Sequence, residues 1–418
     1  MPSLLGKDRH MQRLLIQNIG MLATPEGKSA RRGADQGQIR VLQDAFVRME
    51  DGIIVEIGTG RPAVKEGKEV VDAEGRLVTP GLVDAHTHLI FGGWRQNELG
   101  LKLHGATYLD ILAMGGGILS TVNATRQATE DELYDKAKEA LDEMLALGVT
   151  TVEAKSGYGL DMDNELKQLR VIRRLGEDHP MDIVPTFLGA HAVPTEYKED
   201  REAYIRLLCE EAIPAVAKAG LAEFCDVFCE TGVFSAAESK VILEAGKKWG
   251  LIPKIHADEI DPIGGSQLTE EVGAISAEHL IVCPPEGIAA MAKAGTVACL
   301  LPATSFYLGS TFAPARAMIQ AGVPVAMASD FNPGSCPSLN LQFVINLGCL
   351  KYRMTPEEVL TAVTLNGAAA IGRADKLGSL EVGKQGDLVI WDAPDLNYIC
   401  YRMGSNLVRT VIKNGKAL

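Results

Sequence analysis

The chain has 418 residues, 46% of them hydrophobic, with 41 Lys and Arg against 54 Asp and Glu for a net charge of −13. That length allows a large core and a first expectation of about two to three domains at ~150 residues each. The acidic balance disfavours nucleic acid and anionic lipid as partners, and no segment reaches the ~18 apolar residues of a membrane span, so a cytoplasmic protein acting on a small molecule is expected.

From residue 13 to residue 80 the pattern is one of short alternating runs broken by turn signals: RLLIQNIGMLAT, then FVRMEDGIIVEIG with Asp51-Gly52 at a hairpin position. The C-terminal stretch repeats that texture in GDLVIWDAP and LVRTVIKNGKAL, with Asn414-Gly415 as a second hairpin turn. Neither end carries enough apolar surface to stand alone. Both are therefore expected in one small β-sandwich domain, residues 1–80 plus 375–418, beside a catalytic domain of residues 81–374.

The middle alternates. Strand-like runs at Leu82–His88, Thr150–Lys155, Asp182–Ala192, Glu223–Cys229, Ile252–Ala257, Ala274–His279, Thr296–Pro302 and Val323–Ser329 are mostly separated by helical stretches. Capping boxes open several of these: Thr129-x-x-Glu132, Ser235-x-x-Glu238 and Thr355-x-x-Glu358. The stretch from Glu130 to Leu147 has helical apolar spacing and stops at Gly148. Strands alternating with helices in this number and order match a (β/α)8 TIM barrel of the α/β class; a doubly wound open sheet also fits the periodicity. AMGGGILSTV, residues 113 to 122, has no strand before it and no Lys-Ser/Thr ending. It reads as a flexible loop near the barrel mouth, not as a phosphate loop. The eight cysteines, from Cys209 to Cys400, show no disulfide framework. Cys225 and Cys229 read as strand packing in the apolar run AEFCDVFCE.

After Asp84 the first run reaches His86 and His88. Residues i and i+2 share a strand face, so both imidazoles are expected to point into the barrel at the strand's C-terminal end. One buried histidine is usually a hydrogen-bonded core residue. Two on one face need partners for all their ring nitrogens, and a metal ion is the simplest shared partner. Two histidines do not close a site. His191, His256, His279 and Asp330 each end a later run, where barrel enzymes place their chemistry. Alone, Asp330 reads as a turn cap and His191 as a packed polar residue; together the set reads as a metal centre.

A strand-one HxH, a strand-five His, a strand-six His and a strand-eight Asp resemble the amidohydrolase superfamily. FGGWRQNE, GATYLDILAMGGGILSTVNATR, KSGYGL, LGAHAVPTEY, HADEI and SDFNPGS carry the likeness over nearly the whole barrel. LGSLEVGKQGDLVIWD resembles that superfamily's return into its terminal sandwich. The combination is most similar to members that open a cyclic amide carrying a carboxylate side chain. The resemblance implies a metal-holding barrel, one divalent or trivalent ion per subunit, zinc or iron, and a homodimer. By motif it implies His86, His88, His256 and Asp330 as metal ligands. Arg95, Tyr158, His191, Glu259, Asn332, Gly334 and Ser335 become substrate contacts, and Asp330, His279, Glu259 and His191 the catalytic groups.

The chemistry so implied is hydrolysis of a ring C–N bond. Water is a weak nucleophile whose pKa of about 15.7 falls to about 7 on a suitable metal. Asp330 is expected to take its proton, His279 to face the developing oxyanion, and Glu259 or His191 to protonate the leaving nitrogen. Arg95, on the loop after the first run, offers a guanidinium to a carboxylate. Asn332-Pro333-Gly334-Ser335 reads as a turn whose backbone N–H groups can bind an anionic or carbonyl oxygen. Lys155 suggests a carboxylated bridge between two metals, but two-metal relatives place theirs on another strand, so one ion is expected. Two rivals remain. A deaminase of the same superfamily, acting on a nitrogen heterocycle, shares the histidines; a barrel that has lost catalysis and serves in assembly typically lacks the ligands present here.

Overall fold

The computed structural model describes residues 12–63, 69–106, 111, 114 and 116–418; most of the TYLDILAMG segment of the family-like stretch lies outside the described residues. The terminal strands do meet. β1 (Arg13–Thr24), β2 (Arg40–Glu50), β3 (Ile53–Thr59), β4 (Glu69–Asp72) and β5 (Leu77–Pro80) join β14 (Leu388–Trp391), β15 (Val408–Lys413) and β16 (Lys416–Ala417). Their order is β16-β15-β14-β5-β1-β2-β3, with β4 also on β1. The link between the two ends is antiparallel pairing of β14 with β5, Leu388 opposite Pro80 and Ile390 opposite Val78. Hydrogen bonding is continuous, so this is one sheet, and it closes over its own core: Leu14, Ile16, Val47, Val78, Ile390 and Ile412 pack together. Both hairpin signals are obeyed. Asp51 and Gly52 have φ of 46° and 81°, Asn414 and Gly415 of 50° and 69°, the left-handed pair whose twist suits adjoining strands.

The second sheet is β6 (Leu82–Asp84), β7 (Val149–Lys155), β8 (Asp182–Ala190), β9 (Phe224–Cys229), β10 (Ile252–Ala257), β11 (Ser276–His279), β12 (Val297–Leu300) and β13 (Val325–Met327). It runs in strict sequence order, and the pairs are parallel. A bridge from Thr87 to Phe331 joins the segments that follow the first and last strands. There the Asp330 N–H donates to the His86 carbonyl at 3.0 Å and the His88 N–H to the Phe331 carbonyl at 2.9 Å. This ring closure excludes the open-sheet alternative and brings the histidine pair beside Asp330.

All three capping boxes form. The helix Glu130–Ala146 stops where Gly148 takes φ 95°. One expectation needs correction: residues 118–122 are not loop but the start of helix Ile118–Gln127. Of the rest of that stretch, Ala113 and Gly115 lie outside the described residues and Met114, Gly116 and Gly117 are not helical; the Gly117 N–H is taken by the Glu98 carboxylate at 2.6 Å. Cys225 and Cys229 are buried and unbridged on β9. Among the described residues no helix is long and apolar enough to cross a membrane.

Candidate metal centre

Ring closure and the two strands β10 and β11 deliver the side chains to one point. The His86 ring lies 4.6 Å from His256, 5.3 Å from His88 and 5.7 Å from His279, centroid to centroid. His86 Nε2 and His88 Nε2 are each 3.5 Å from Asp330 Oδ1, and His256 Nε2 is 3.4 Å from His88 Nε2. Two trios, His86–His88–Asp330 and His86–His256–His279, each bring donor atoms within 4.8 Å of one another.

Both nitrogens of His86, Nδ1 of His88 and of His279, and Oδ1 of Asp330 are buried without a hydrogen-bond partner. An unsatisfied buried polar group costs about 1–3 kcal/mol, so a cluster of them asks for an occupant. Burial drives His86 and His88 well below the usual histidine range and His279 down to about 4. Neutral imidazoles are the ligating form. His256 behaves differently: burial lowers its pKa, but the Asp226 carboxylate more than offsets this and the net shift is upward. Its Nδ1 lies 3.1 Å from Asp226 Oδ2, which leaves Nε2 turned to the centre, the arrangement by which a carboxylate orients a metal-binding histidine. Asp330 stands at φ 56° and accepts the Thr304 hydroxyl on Oδ2 at 2.6 Å. Its other oxygen is thereby left for the centre. This donor set of nitrogens and carboxylate oxygen fits a single small cation.

Lys155 is not a bridging ligand. Its ammonium sits 2.7 Å from Glu153 and 2.8 Å from Asp226, all three side chains fully buried. Burial alone would lower its pKa, but Asp226, Glu153 and Glu278 raise it further than that. A fixed ammonium neutralises Asp226 and has no lone pair for carboxylation.

The other predicted residues lie around the cluster. His191 stacks on His88 at 4.8 Å and 13°, and the Tyr158 ring lies 5.2 Å from His191. His191 Nδ1 is 2.9 Å from the Gly157 carbonyl; an oxygen there only accepts, so Nδ1 carries the proton and Nε2 is an acceptor. Burial lowers the His191 pKa to about 3 and keeps the Tyr158 phenol protonated. Burial also lifts Glu259 to about 7, and its Oε2 is 3.7 Å from His279 Nε2.

Arg95 has a buried Nε–H without a partner, and its guanidinium lies across Gly334, where an added Cβ would fall 1.1 Å from Nη2. Gly334→Ala is therefore expected to displace the guanidinium. KM should rise at least about tenfold, the size of one lost charged hydrogen bond, with metal content unchanged by metal analysis.

The 332–335 turn corrects one expectation. The Gly334 and Ser335 N–H groups are not open to a ligand, because both donate to Asn332 Oδ1 at 2.8 Å. The Asn332 amide in turn donates to the Asp330 carbonyl at 2.7 Å. Asn332 thus braces the turn that carries Asp330, and Gly334 provides room for Arg95. Trp94, beside Arg95, packs edge-on against Phe91 and Phe331 and lines a separate cavity of about 380 Å³ with Lys136 and Glu143. Two contributors escaped the sequence reading, and Lys155, weighed there only as a metal bridge, serves instead as the partner of Asp226. Asp226 was visible as a lone charge in a buried strand run, FCDVF. Thr304 gave no signal in advance.

Comparison with known proteins adds to this geometry. Residues 77–418 match the amidohydrolase family, and the chain belongs to that family. Two solved structures share its fold over 97% of this chain. The atrazine chlorohydrolase of Arthrobacter aurescens, complexed with zinc, has a TM-score of 0.72 at 18% identity and is covered over 95% of its length. A zinc-bound adenosine deaminase from Xanthomonas campestris has a TM-score of 0.70 at 21% identity and is covered over 92%. At those identities the likeness shows the fold alone. Within the family the chain is similar to imidazolonepropionase: it is 54% identical over 409 residues to that of Alkaliphilus metalliredigens, covering 96% of this chain and 97% of the relative.

Proposed function

We infer that this chain hydrolyses the ring C–N bond of 4-imidazolone-5-propanoate, yielding N-formimino-L-glutamate, a step of histidine degradation in the cytoplasm. The observation that carries the reading within the site is Arg95. Its guanidinium, with an unpartnered Nε–H, stands over Gly334, close enough to Tyr158 and His191 to bias the titration of both. A cation at the edge of a cluster of neutral imidazoles suits a small ring that carries a carboxylate.

His86, His88, His256 and Asp330 would hold one ion, zinc or iron, which when bound supplies the electrophilicity that acidifies water and polarises a carbonyl. Arg95 takes the propionate. Tyr158 donates its phenol O–H and His191 offers Nε2 to the ring, which fixes the face presented. Asp330 accepts one proton of the attacking water. The water oxygen adds to the ring carbonyl carbon, and neutral His279 donates a hydrogen bond to the carbonyl oxygen as charge develops there. The C–N bond then breaks, and the nitrogen takes its proton from Glu259. With a pKa of about 7, that carboxyl is close to half protonated at neutral pH, where a general acid works best.

Arg95→Ala is expected to raise KM roughly 10- to 100-fold, in line with removal of a charged hydrogen bond, while metal content stays at the wild-type level. Steady-state kinetics by ultraviolet absorbance on freshly prepared imidazolone propionate measure this; an unchanged KM removes Arg95 from the site. The same assay on the metal-loaded wild-type protein tests the function itself. Loss of the substrate chromophore supports it, and no turnover overturns it.

A further inference from the structure

We propose that Glu165 is a positioning residue for substrate binding: its buried carboxylate sets the backbone of residues 157–160, which presents Tyr158 and, through the Gly157 carbonyl, His191. The proposal rests on the function inferred above.

Glu165 lies in the first turn of helix Met162–Asp178 and is 1% exposed. Its Oε1 accepts the N–H of Gly159 at 2.8 Å and of Leu160 at 2.9 Å. The Gly157 N–H lies across both oxygens, at 3.2 and 3.1 Å. Gln168, three residues further along the same helix, takes the remaining N–H, that of Tyr158, at 3.1 Å, and its amide donates to the Ile90 carbonyl at 2.7 Å. Consecutive backbone donors from residue 157 to residue 160 therefore all end on two side chains of one helix. Helix capping does not require this, because Asp161 already accepts the Asn164 N–H at 2.8 Å. What the carboxylate holds is an unusual backbone. Gly157 has φ 115° and Leu160, with a full side chain, φ 54°, conformations that persist only where surroundings impose them.

The loop so held faces the ligand-binding side. Tyr158 packs 5.8 Å from His88 and 5.2 Å from His191, centroid to centroid. The Gly157 carbonyl fixes the proton of His191 on Nδ1, and the approach is close: a Cβ on Gly157 would lie 3.0 Å from that nitrogen. Glu165, together with Gln168 on the peptide that joins Gly157 to Tyr158, thus governs both the aim of a phenol and the tautomer of an imidazole. The metal candidates hang from other segments, β10 and the two segments that close the barrel.

Glu165→Gln tests this with almost no change in volume. An amide offers one acceptor and one donor group. If its oxygen keeps Gly159 and Leu160, its NH2 meets the Gly157 N–H, donor against donor, which pushes Gly157 from its place beneath His191 and disturbs the seat of Tyr158 that follows it. We expect KM for imidazolone propionate to rise about tenfold, kcat to stay within about threefold, and bound metal to equal wild type, the pattern of lost substrate binding. Combined with Tyr158→Phe, the effect on KM should fall well short of the product of the single effects, since both act through one loop. A purely structural role would lower Tm and the active fraction while KM stayed put, and that result overturns the proposal. Should Glu165→Gln fail to fold, Gln168→Leu decides, because it strips the acceptor from the Tyr158 N–H alone: a raised KM with normal metal content supports the proposal, and an unchanged KM rejects it. The wild-type enzyme is assayed first. Absence of turnover there condemns the inferred function and this proposal with it, whereas a normal wild type with an unaltered Glu165→Gln condemns only the proposal.

Discussion

Replacing His279 with Ala is expected to leave bound metal at the wild-type level while kcat falls about a thousandfold, the scale on which a preorganised oxyanion donor acts. His279 is 4% exposed and held at φ 69° at the end of β11. Its Nδ1 has no partner, and its Nε2 lies 3.7 Å from Glu259 Oε2. Burial takes its pKa down to about 4, so at neutral pH it is an uncharged donor that costs little to hold near a cation. Yet His86, His256 and His279 also form a trio within ligand range. The variant separates the two roles. Metal retained with turnover lost makes His279 a group that acts on the substrate; metal lost with turnover makes it a ligand and displaces the assignment given above.

Asp330→Ala is expected to fail in the opposite manner, losing bound metal together with at least about four orders of magnitude in kcat, because ligand and proton acceptor vanish at once. Asp330 is the only carboxylate in the proposed ligand set, and its Oδ1 faces both His86 and His88 at 3.5 Å. The loss should also show in stability. An ion that binds only the folded chain stabilises it by about 4 kcal/mol at a thousandfold excess over Kd. Melting the wild type and Asp330→Ala with and without added zinc should give a rise in Tm for the former and none for the latter. An Asp330→Ala protein that keeps its metal and loses only turnover confines Asp330 to proton transfer.

The barrel was legible because its strands are buried on both faces, so most read as short apolar runs, and several end at or beside a polar residue placed for the site. His86, His88, His256, His279 and Asp330 stand out for that reason, and closure of the ring between Thr87 and Phe331 brings together what sequence position separates. The hairpin turns and capping boxes were legible because their signals are local. What lay beyond the sequence is set by tertiary approach. Nothing in SDFNPGS says that Asn332 will consume the two N–H groups a ligand was expected to use. Nothing in GGWRQ places a guanidinium on Gly334. Asp226 and Lys155 look alike as buried charges; only the 3.1 Å contact of Asp226 with His256 and its 2.8 Å contact with Lys155 show that the carboxylate orients His256 and the ammonium neutralises the carboxylate. The loop reading of residues 113–122 failed at Ile118 because three glycines outweighed the helix-forming residues that follow them.

The central claim is that one cation, gathered by His86, His88, His256 and Asp330, is required for ring opening. It is tested most directly by metal analysis and turnover on the same preparation, before dialysis against a chelator, after it, and after zinc or ferrous ion is returned. The account predicts one ion per chain, activity that disappears with the ion, and recovery on its return. Full turnover by metal-free protein, or two ions per chain at full activity, would contradict it.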